Sequence, residues 1–272
     1  TGKSVIVIAG TDLEKLPITS LDELLKYLPG IEVQQRGING TQSDIIIRGG
    51  SFQQVLVLID GVRMNDPLTG HFNGYIPLHP EDIYKIEISK GAAAAMYGPD
   101  AIGGVIHIIT RKKINTQKNK ISAGTKFGTF GLNNTNLWWG INKEKWKISL
   151  AHISNKADGE VLRGTTGYFN NKAYSILLNY NLAPKWKLNM LHIQDTRNFN
   201  AQNFYTQFKS DTASEIVESQ WTQIGIIKEA NTIVFKTDIG YKKLTDQYRF
   251  SPAGKYNENN TNLLVAQSNL QW

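Results

Sequence analysis

Between Asp44 and Thr110 lie apolar runs closed by glycine, and they constrain what this chain can fold into more than any other feature. Ile45, Ile46 and Ile47, then Val55, Leu56, Val57, Leu58 and Ile59, leave no polar face between them, and a glycine-rich block feeds a third run, Val105 to Ile109. Strands without a solvent face belong to sheets covered on both sides. A larger body must therefore surround this small sheet.

The flanking residues predict its context. Residues 5–9 read as a strand and 11–16 as a short helical turn stopped before Pro17. Ser20 and Glu23 form a capping-box pattern, and Leu21, Leu24, Leu25 and Leu28 recur at helical spacing until Pro29-Gly30 ends the helix. Ile31-Glu32-Val33 opens the next strand, and the polar residues 34–43 form a loop. The simplest pairing joins 45–48 to 55–60 as an antiparallel hairpin across 49–54. It sends the loops 34–43 and 61–77 to one end and the 49–54 turn to the other. Residues 91–98, with their run of alanines, suit a close-packed helical turn, and Gly103-Gly104 lets the backbone bend or approach a neighbouring wall.

Arg48-Gly49, Leu58-Ile59-Asp60-Gly61, Ile86-Glu87-Ile88 before Lys90-Gly91, Met96-Tyr97-Gly98 and Ala101-Ile102-Gly103-Gly104-Val105-Ile106 together resemble the plug domain of TonB-dependent outer-membrane receptors. Leu24 to Ile31 fits the same pattern, and the resemblance covers residues 1–113. Through the block Gly61-Val62-Arg63-Met64-Asn65-Asp66 it is nearest the vitamin B12 and catecholate-siderophore branches. It implies ligand-gated, energy-dependent uptake of a scarce, bulky nutrient, of cobalamin or iron-siderophore type, across the outer membrane of a Gram-negative bacterium. The partners so implied are the small-molecule ligand, outer-membrane lipid and the TonB–ExbB–ExbD energy-transducing complex, which pulls on a segment, the TonB box, expected upstream of this chain. A binding or adhesion module without import is the alternative.

From residue 114 the texture changes to long alternating segments. Ile121, Ala123, Thr125 and Phe127 oppose Ser122, Gly124 and Lys126; Leu137, Trp139 and Ile141 oppose Asn136, Trp138 and Gly140. Trp146, Ile148 and Leu150 oppose Lys147 and Ser149, and the same alternation marks Tyr174 to Leu182 and Ile233 to Tyr241, while the segments around Ile193 and Ile224 fit neither face clearly. Segments of about ten residues, apolar on one face and polar on the other, are those of outer-membrane strands. Tight links at 142–145, 183–185 and 229–231 alternate with long polar ones at 156–170, 195–214 and 246–260, and Trp146 and Trp186 beside tight turns suit an aromatic girdle. The expected fold class is an α+β plug domain, 1–113, followed by antiparallel transmembrane β-barrel strands, 114–272. About eight strands are counted, whereas a plugged lumen needs about 22, so the front part of a receptor is expected.

Composition removes other classes. Residues 1–113 hold 11 Lys plus Arg against 12 Asp plus Glu and the remainder 19 against 11, but the basic residues are scattered along strands, which argues against nucleic acid. The chain has no cysteine, hence no disulfide framework or thiolate metal site. Phosphate-cradling Gly-x-Gly-x-x-Gly, His-Glu-x-x-His and Gly-x-Ser-x-Gly patterns are missing, the five His are isolated, and no catalytic residue or cofactor is expected. Asp195 and Asp211 are too few for a calcium cage, so no metal is expected either.

Ligand contacts are expected from the polar and aromatic residues of the two loops sent to one end: Arg36, Asn39, Arg63, Asn65, Asp66, His71, Phe72, Asn73 and Tyr75. Plug-to-barrel contacts are expected at Arg48, Asp60, Gly103 and Gly104. Arg48, after three isoleucines, reads as a buried or interface charge needing a carboxylate. Asp60 before Gly61 reads as a turn support, and His107 between Ile106 and Ile108 as a polar group satisfied within the sheet.

Overall fold

The computed structural model describes residues 4–16, 21–37, 41–66, 70–71, 74–91, 97–110, 119–162 and 164–272. Ser20 with its expected cap, Asn39, Phe72, Asn73, the alanines 92–95 and the expected boundary at Lys112 and Lys113 lie outside the described residues.

The first part of the chain contains β1 (Ser4–Ala9), the helical turns α1 (Gly10–Leu13) and α2 (Leu21–Leu25), and then β2 (Ile31–Gln35), β3 (Ser43–Ile47), β4 (Val55–Ile59), β5 (Val62–Arg63), β6 (Ile83–Lys90) and β7 (Gly104–Thr110). Five strands form one sheet in the order β1-β6-β7-β4-β5, in which β4 and β7 run parallel, and β2 and β3 pair with each other. The helix expected to reach Leu28 stops at Leu25, and a looser turn, with Leu28 N–H on the Leu25 carbonyl at 3.1 Å, carries the chain to Gly30 at φ 73°. Glycine suits that left-handed stop.

Beyond it, β8 (Lys120–Phe127), β9 (Asn133–Asn142), β10 (Trp146–Ala157), β11 (Val161–Leu162), β12 (Thr165–Thr166), β13 (Phe169–Ala183), β14 (Trp186–Asn200), β15 (Ser214–Ala230), β16 (Ile233–Arg249) and β17 (Asn257–Gln271) follow. Eight of them make an antiparallel meander with β8 and β17 at its edges, and β11 and β12 form a hairpin within the β10–β13 link. Links 143–145, 184–185 and 231–232 are tight, while 158–168, 201–213 and 250–256 are long, so the two ends of the wall differ as expected. Outward side chains such as Tyr174, Ile176, Ile224, Ile239 and Tyr241 are exposed, and inward ones such as Ala173, Leu177, Leu191, Ile193 and Trp221 are buried. Near the tight turns Trp146 pairs with Tyr180 across β10–β13, and Lys228 Nζ lies 4.9 Å from the centre of the Trp186 ring. That placement suits an interfacial girdle.

The expected hairpin of 45–48 with 55–60 does not form. β3 takes β2 as its partner, from Ile31 opposite Ile47 to Gln35 opposite Ser43, and β4 lies alongside β7. An apolar run demands cover but does not specify which strand supplies it. The loop directions change accordingly. Phe52, in the 3-10 turn before β4, stacks on His71 at 4.5 Å, and His71 lies 6.4 Å from Tyr205 in the long 201–213 link. Asp60 and Gly61, after β4, instead meet Lys236 and Gln267 towards the tight-turn end. Turn 49–54 is thus on the long-link side, while Gly61 lies towards the opposite end and His71 is back on the long-link side.

The plug core and the wall meet in one apolar cluster, in which Leu177, Leu191, Ile193 and Trp221 of the barrel join Ile47, Val57, Ile59, Val62, Ile86, Ile106 and their neighbours. This explains why β14 resisted a simple reading: Ile193 turns inward onto apolar plug surface, not onto water. Trp221 fits because Gly240 beside it has no side chain; a Cβ there would lie 2.6 Å from Trp221 Cη2 and 2.9 Å from Val62 Cγ1. Gly240→Val should therefore push the indole and β5 apart, costing about 1–3 kcal/mol. The urea midpoint of the protein in detergent should fall; an unchanged midpoint would mean that Trp221 moves aside freely.

Candidate functional site

At the long-link end, plug and barrel residues converge on Asp44, whose carboxylate is buried at the start of β3. His71 Nδ1 lies 2.9 Å from its Oδ1, and Arg36 Nη2 lies 3.9 Å from Oδ2. Arg36 also donates to the Phe204 carbonyl, and its guanidinium carbon is 5.9 Å from the centre of the Tyr205 ring. The Tyr205 hydroxyl donates to the Glu215 carboxylate at 3.0 Å. Burial, and then the adjacent Glu215 charge, raises the phenol far above its ordinary range, so it remains a donor. The 201–213 link that carries Tyr205 is braced by Asp211, which accepts from Asn203 N–H at 3.0 Å, Ala213 N–H at 2.8 Å and the Thr206 hydroxyl at 2.7 Å. Asp195 accepts from Arg197 Nε at 3.0 Å, so both carboxylates weighed for calcium have protein donors, and among the described residues no metal-binding group of three appears.

Below this mouth, direct bonds fasten plug to wall. Buried Arg197 sits 4.7 Å over the Tyr75 ring and donates to the Thr41 carbonyl at 3.4 Å. Lys242 Nζ donates to the Met64 carbonyl at 2.8 Å. On the other side, Asp82 accepts from Trp138 Nε1 at 2.9 Å and from the Ser149 hydroxyl. His79 Nε2 lies 3.2 Å from Asn136 Oδ1 while its Nδ1 accepts from Glu81 N–H at 3.3 Å, so the ring bridges plug and β9 as a neutral tautomer. A cavity of about 230 Å³ remains there, lined by Leu13, Ile76, Leu78, His79, Asn136 and Ile153 among others.

Of the expected ligand residues, the structure brings Arg36 and His71 together at the mouth and places Tyr75 buried beneath Arg197. Asp66 is also buried. Asn65 is a strut inside the plug: its side chain accepts from Val57 N–H at 2.7 Å and donates to the Val55 carbonyl at 2.8 Å. Arg63 lies towards the tight-turn end, 2.5 Å from Asp100, on a cavity of about 600 Å³ shared with Asp60, Lys236 and Gln267. The direction of β4 puts it there.

The expected contact residues divide in the same way. Arg48 is exposed, in a left-handed conformation at φ 56°, with its guanidinium against Gly91; it is not the buried charge that the preceding isoleucines suggested. Gly103 and Gly104 face the plug itself, since a Cβ on Gly104 would lie 2.6 Å from the Ser89 carbonyl oxygen. Asp60 does touch the barrel, its carbonyl accepting from Lys236, while its carboxylate accepts from Thr110 N–H at 3.0 Å and hydroxyl at 2.6 Å. These bonds tie the end of β4 to β7 across the sheet, where the sequence suggested a local support of the Asp60-Gly61 turn. His107 lies 3.8 Å from Glu87 across the β6–β7 pair. Asp44, Phe52, Tyr205, Arg197 and Asp82 were missed; each is a single polar or aromatic residue whose partner is distant in sequence.

Comparison with known proteins gives this geometry a family context. Residues 1–105 match the model of the TonB-dependent Receptor Plug Domain family. A vitamin B12 transporter, BtuB of Vibrio vulnificus, is 44% identical over 108 residues, 39% of this chain and 17% of its own length. Among solved structures, the ferric yersiniabactin uptake receptor FyuA of Yersinia pestis superposes with a TM-score of 0.78 at 15% identity, over 98% of this chain and 45% of that one. The siderophore receptor PiuA of Acinetobacter baumannii gives 0.74 at 17% identity, over 98% and 42%. The match thus spans under a fifth of that curated relative and under half of each solved receptor.

His79 supplies a pH test of the plug seat. Burial holds its pKa below the ordinary 6.5. Above that value the ring is neutral folded and unfolded; below it the unfolded chain takes the proton first, so stability falls with pH until the folded ring titrates too. Lowering pH from about 7.5 to about 5.5 should therefore cost the wild type more stability than His79→Gln. Parallel denaturation midpoints in the two proteins would contradict this.

Proposed function

We propose that this chain, whose first 105 residues are a plug domain of the TonB-dependent receptors and whose strands belong to the barrel of such a receptor in the outer membrane, captures a bulky metal-containing nutrient at the long-link end and admits it by displacement of the plug. The observation that carries the reading is the seating of the plug. Apolar and polar contacts fix it to β9, β10 and β13–β16, while Arg36, His71 and Tyr205 converge above it. A guanidinium, an imidazole and a phenol supply hydrogen bonds and ring faces to a large solute at low cost in conformational entropy. Similarity to a vitamin B12 transporter over the plug favours cobalamin; the solved siderophore receptors share the fold.

Tight capture followed by release requires a second state of lower affinity. The seated plug blocks the lumen, so release requires that it move, and the energy is assigned to a TonB–ExbB–ExbD complex acting on a segment upstream of this chain. Cells carrying the full receptor should accumulate labelled cobalamin only while the proton-motive force is maintained. Accumulation that persists after its dissipation would overturn the reading. Tyr205→Ala and Arg36→Ala should each weaken binding by about 1–2 kcal/mol, measured by calorimetry on the full receptor; wild-type affinity in both would place capture elsewhere.

A further inference from the structure

We infer that His71 is a metal-coordinating residue for the cargo, and that the cargo is a cobalt corrinoid offering an exchangeable axial position. The inference rests on the uptake reading above and names the chemistry of its binding site.

The imidazole is held as a ligand would be. Nδ1 lies 2.9 Å from the Asp44 carboxylate, which is 3% exposed and so fixed in position. The Arg36 guanidinium lies 3.9 Å from its other oxygen. In the neutral ring, donation from Nδ1–H to that carboxylate puts the lone pair on Nε2 at the opposite edge, and Nε2 has no hydrogen-bond partner among the described residues. The ring plane is held as well. Phe52 stacks on it at 4.5 Å, and that approach depends on Gly70, where a Cβ would lie 3.2 Å from the Phe52 ring. A carboxylate-backed imidazole with its second nitrogen free is the arrangement that raises basicity and orients histidine towards a metal.

The chemistry also selects among cargoes. An iron chelate whose six positions are filled offers nothing for Nε2 to bind. A corrinoid carrying water on cobalt(III) does: the water departs as water, the Nε2 lone pair forms the new bond, and neither electrons nor protons are transferred.

The test uses the full receptor in detergent, titrated with aquocobalamin and, separately, with cyanocobalamin, in which cyanide holds the upper position. Aquocobalamin should change its visible absorption on binding as imidazole replaces water, and cyanocobalamin should not. In His71→Ala the absorption change should vanish, and the preference for the aquo over the cyano form should fall about tenfold or more. Asp44→Asn should keep the absorption change at weaker affinity. Should the alanine variant misfold by circular dichroism, His71→Gln serves in its place. Aquocobalamin bound with an unaltered spectrum, or an absorption change that survives loss of His71, overturns this inference and leaves the uptake reading standing; failure to bind either corrinoid overturns both.

Discussion

A strand that crosses a bilayer must turn every second side chain inward, and the structure depends on what those inward side chains meet. In this wall they include Leu177, Leu191, Ile193 and Trp221 beside Asp195, Arg197, Asp238 and Lys242. Facing a water-filled lumen, the apolar ones would remain wet; facing bare hydrocarbon, the charged ones would be unpaired. The plug resolves both demands. Its β4–β7 sheet offers an apolar surface to Trp221 and its neighbours, and its carbonyls at Asp60 and Met64 take the barrel lysines. The same logic accounts for the glycines opposite the inward indoles, because only a missing side chain leaves room for both Trp221 and Val62.

The balance between these contacts bears on how a plug can be both tight and movable. Most of the apolar cluster is the plug's own, with few barrel side chains joining it. Displacement would therefore leave most of the buried apolar surface buried. Across the interface the specific ties are polar, such as Trp138 to Asp82, Arg197 to the Thr41 carbonyl and His79 to Asn136. Water can replace such bonds at small net cost, whereas it cannot replace a divided core. Mechanical pull is best resisted by the first kind of contact and is compatible with loss of the second.

Much of the architecture was legible in the residues. Alternation located the barrel strands, because the side-chain period of a strand is fixed by geometry, and the tight turns beside Trp146 and Trp186 fell where the pattern broke. The uninterrupted run Val55 to Ile59 announced a sheet covered on both faces. Its partner was not legible: β4 beside β7 is a parallel pairing across nearly fifty residues, and nothing local in either strand specifies it. That one gap reversed the direction of β4 and moved Arg63 away from the mouth. At the site, Arg36 and His71 were readable as loop residues of suitable chemistry, while Asp44 was hidden as a polar residue near the start of an otherwise apolar strand and Tyr205 as one aromatic residue in a long link. Their convergence is a property of the assembled plug and wall.

The proposed uptake requires the seated plug to move. The chain is free of cysteine, so a single pair can be introduced at Met64 and Lys242, where plug and β16 already touch, and bridged by a short, reducible bifunctional thiol reagent. Receptor bridged in this way should bind its ligand at the mouth as before, fail to deliver it across the membrane, and recover delivery on reduction. Undiminished uptake with the bridge intact would contradict the account.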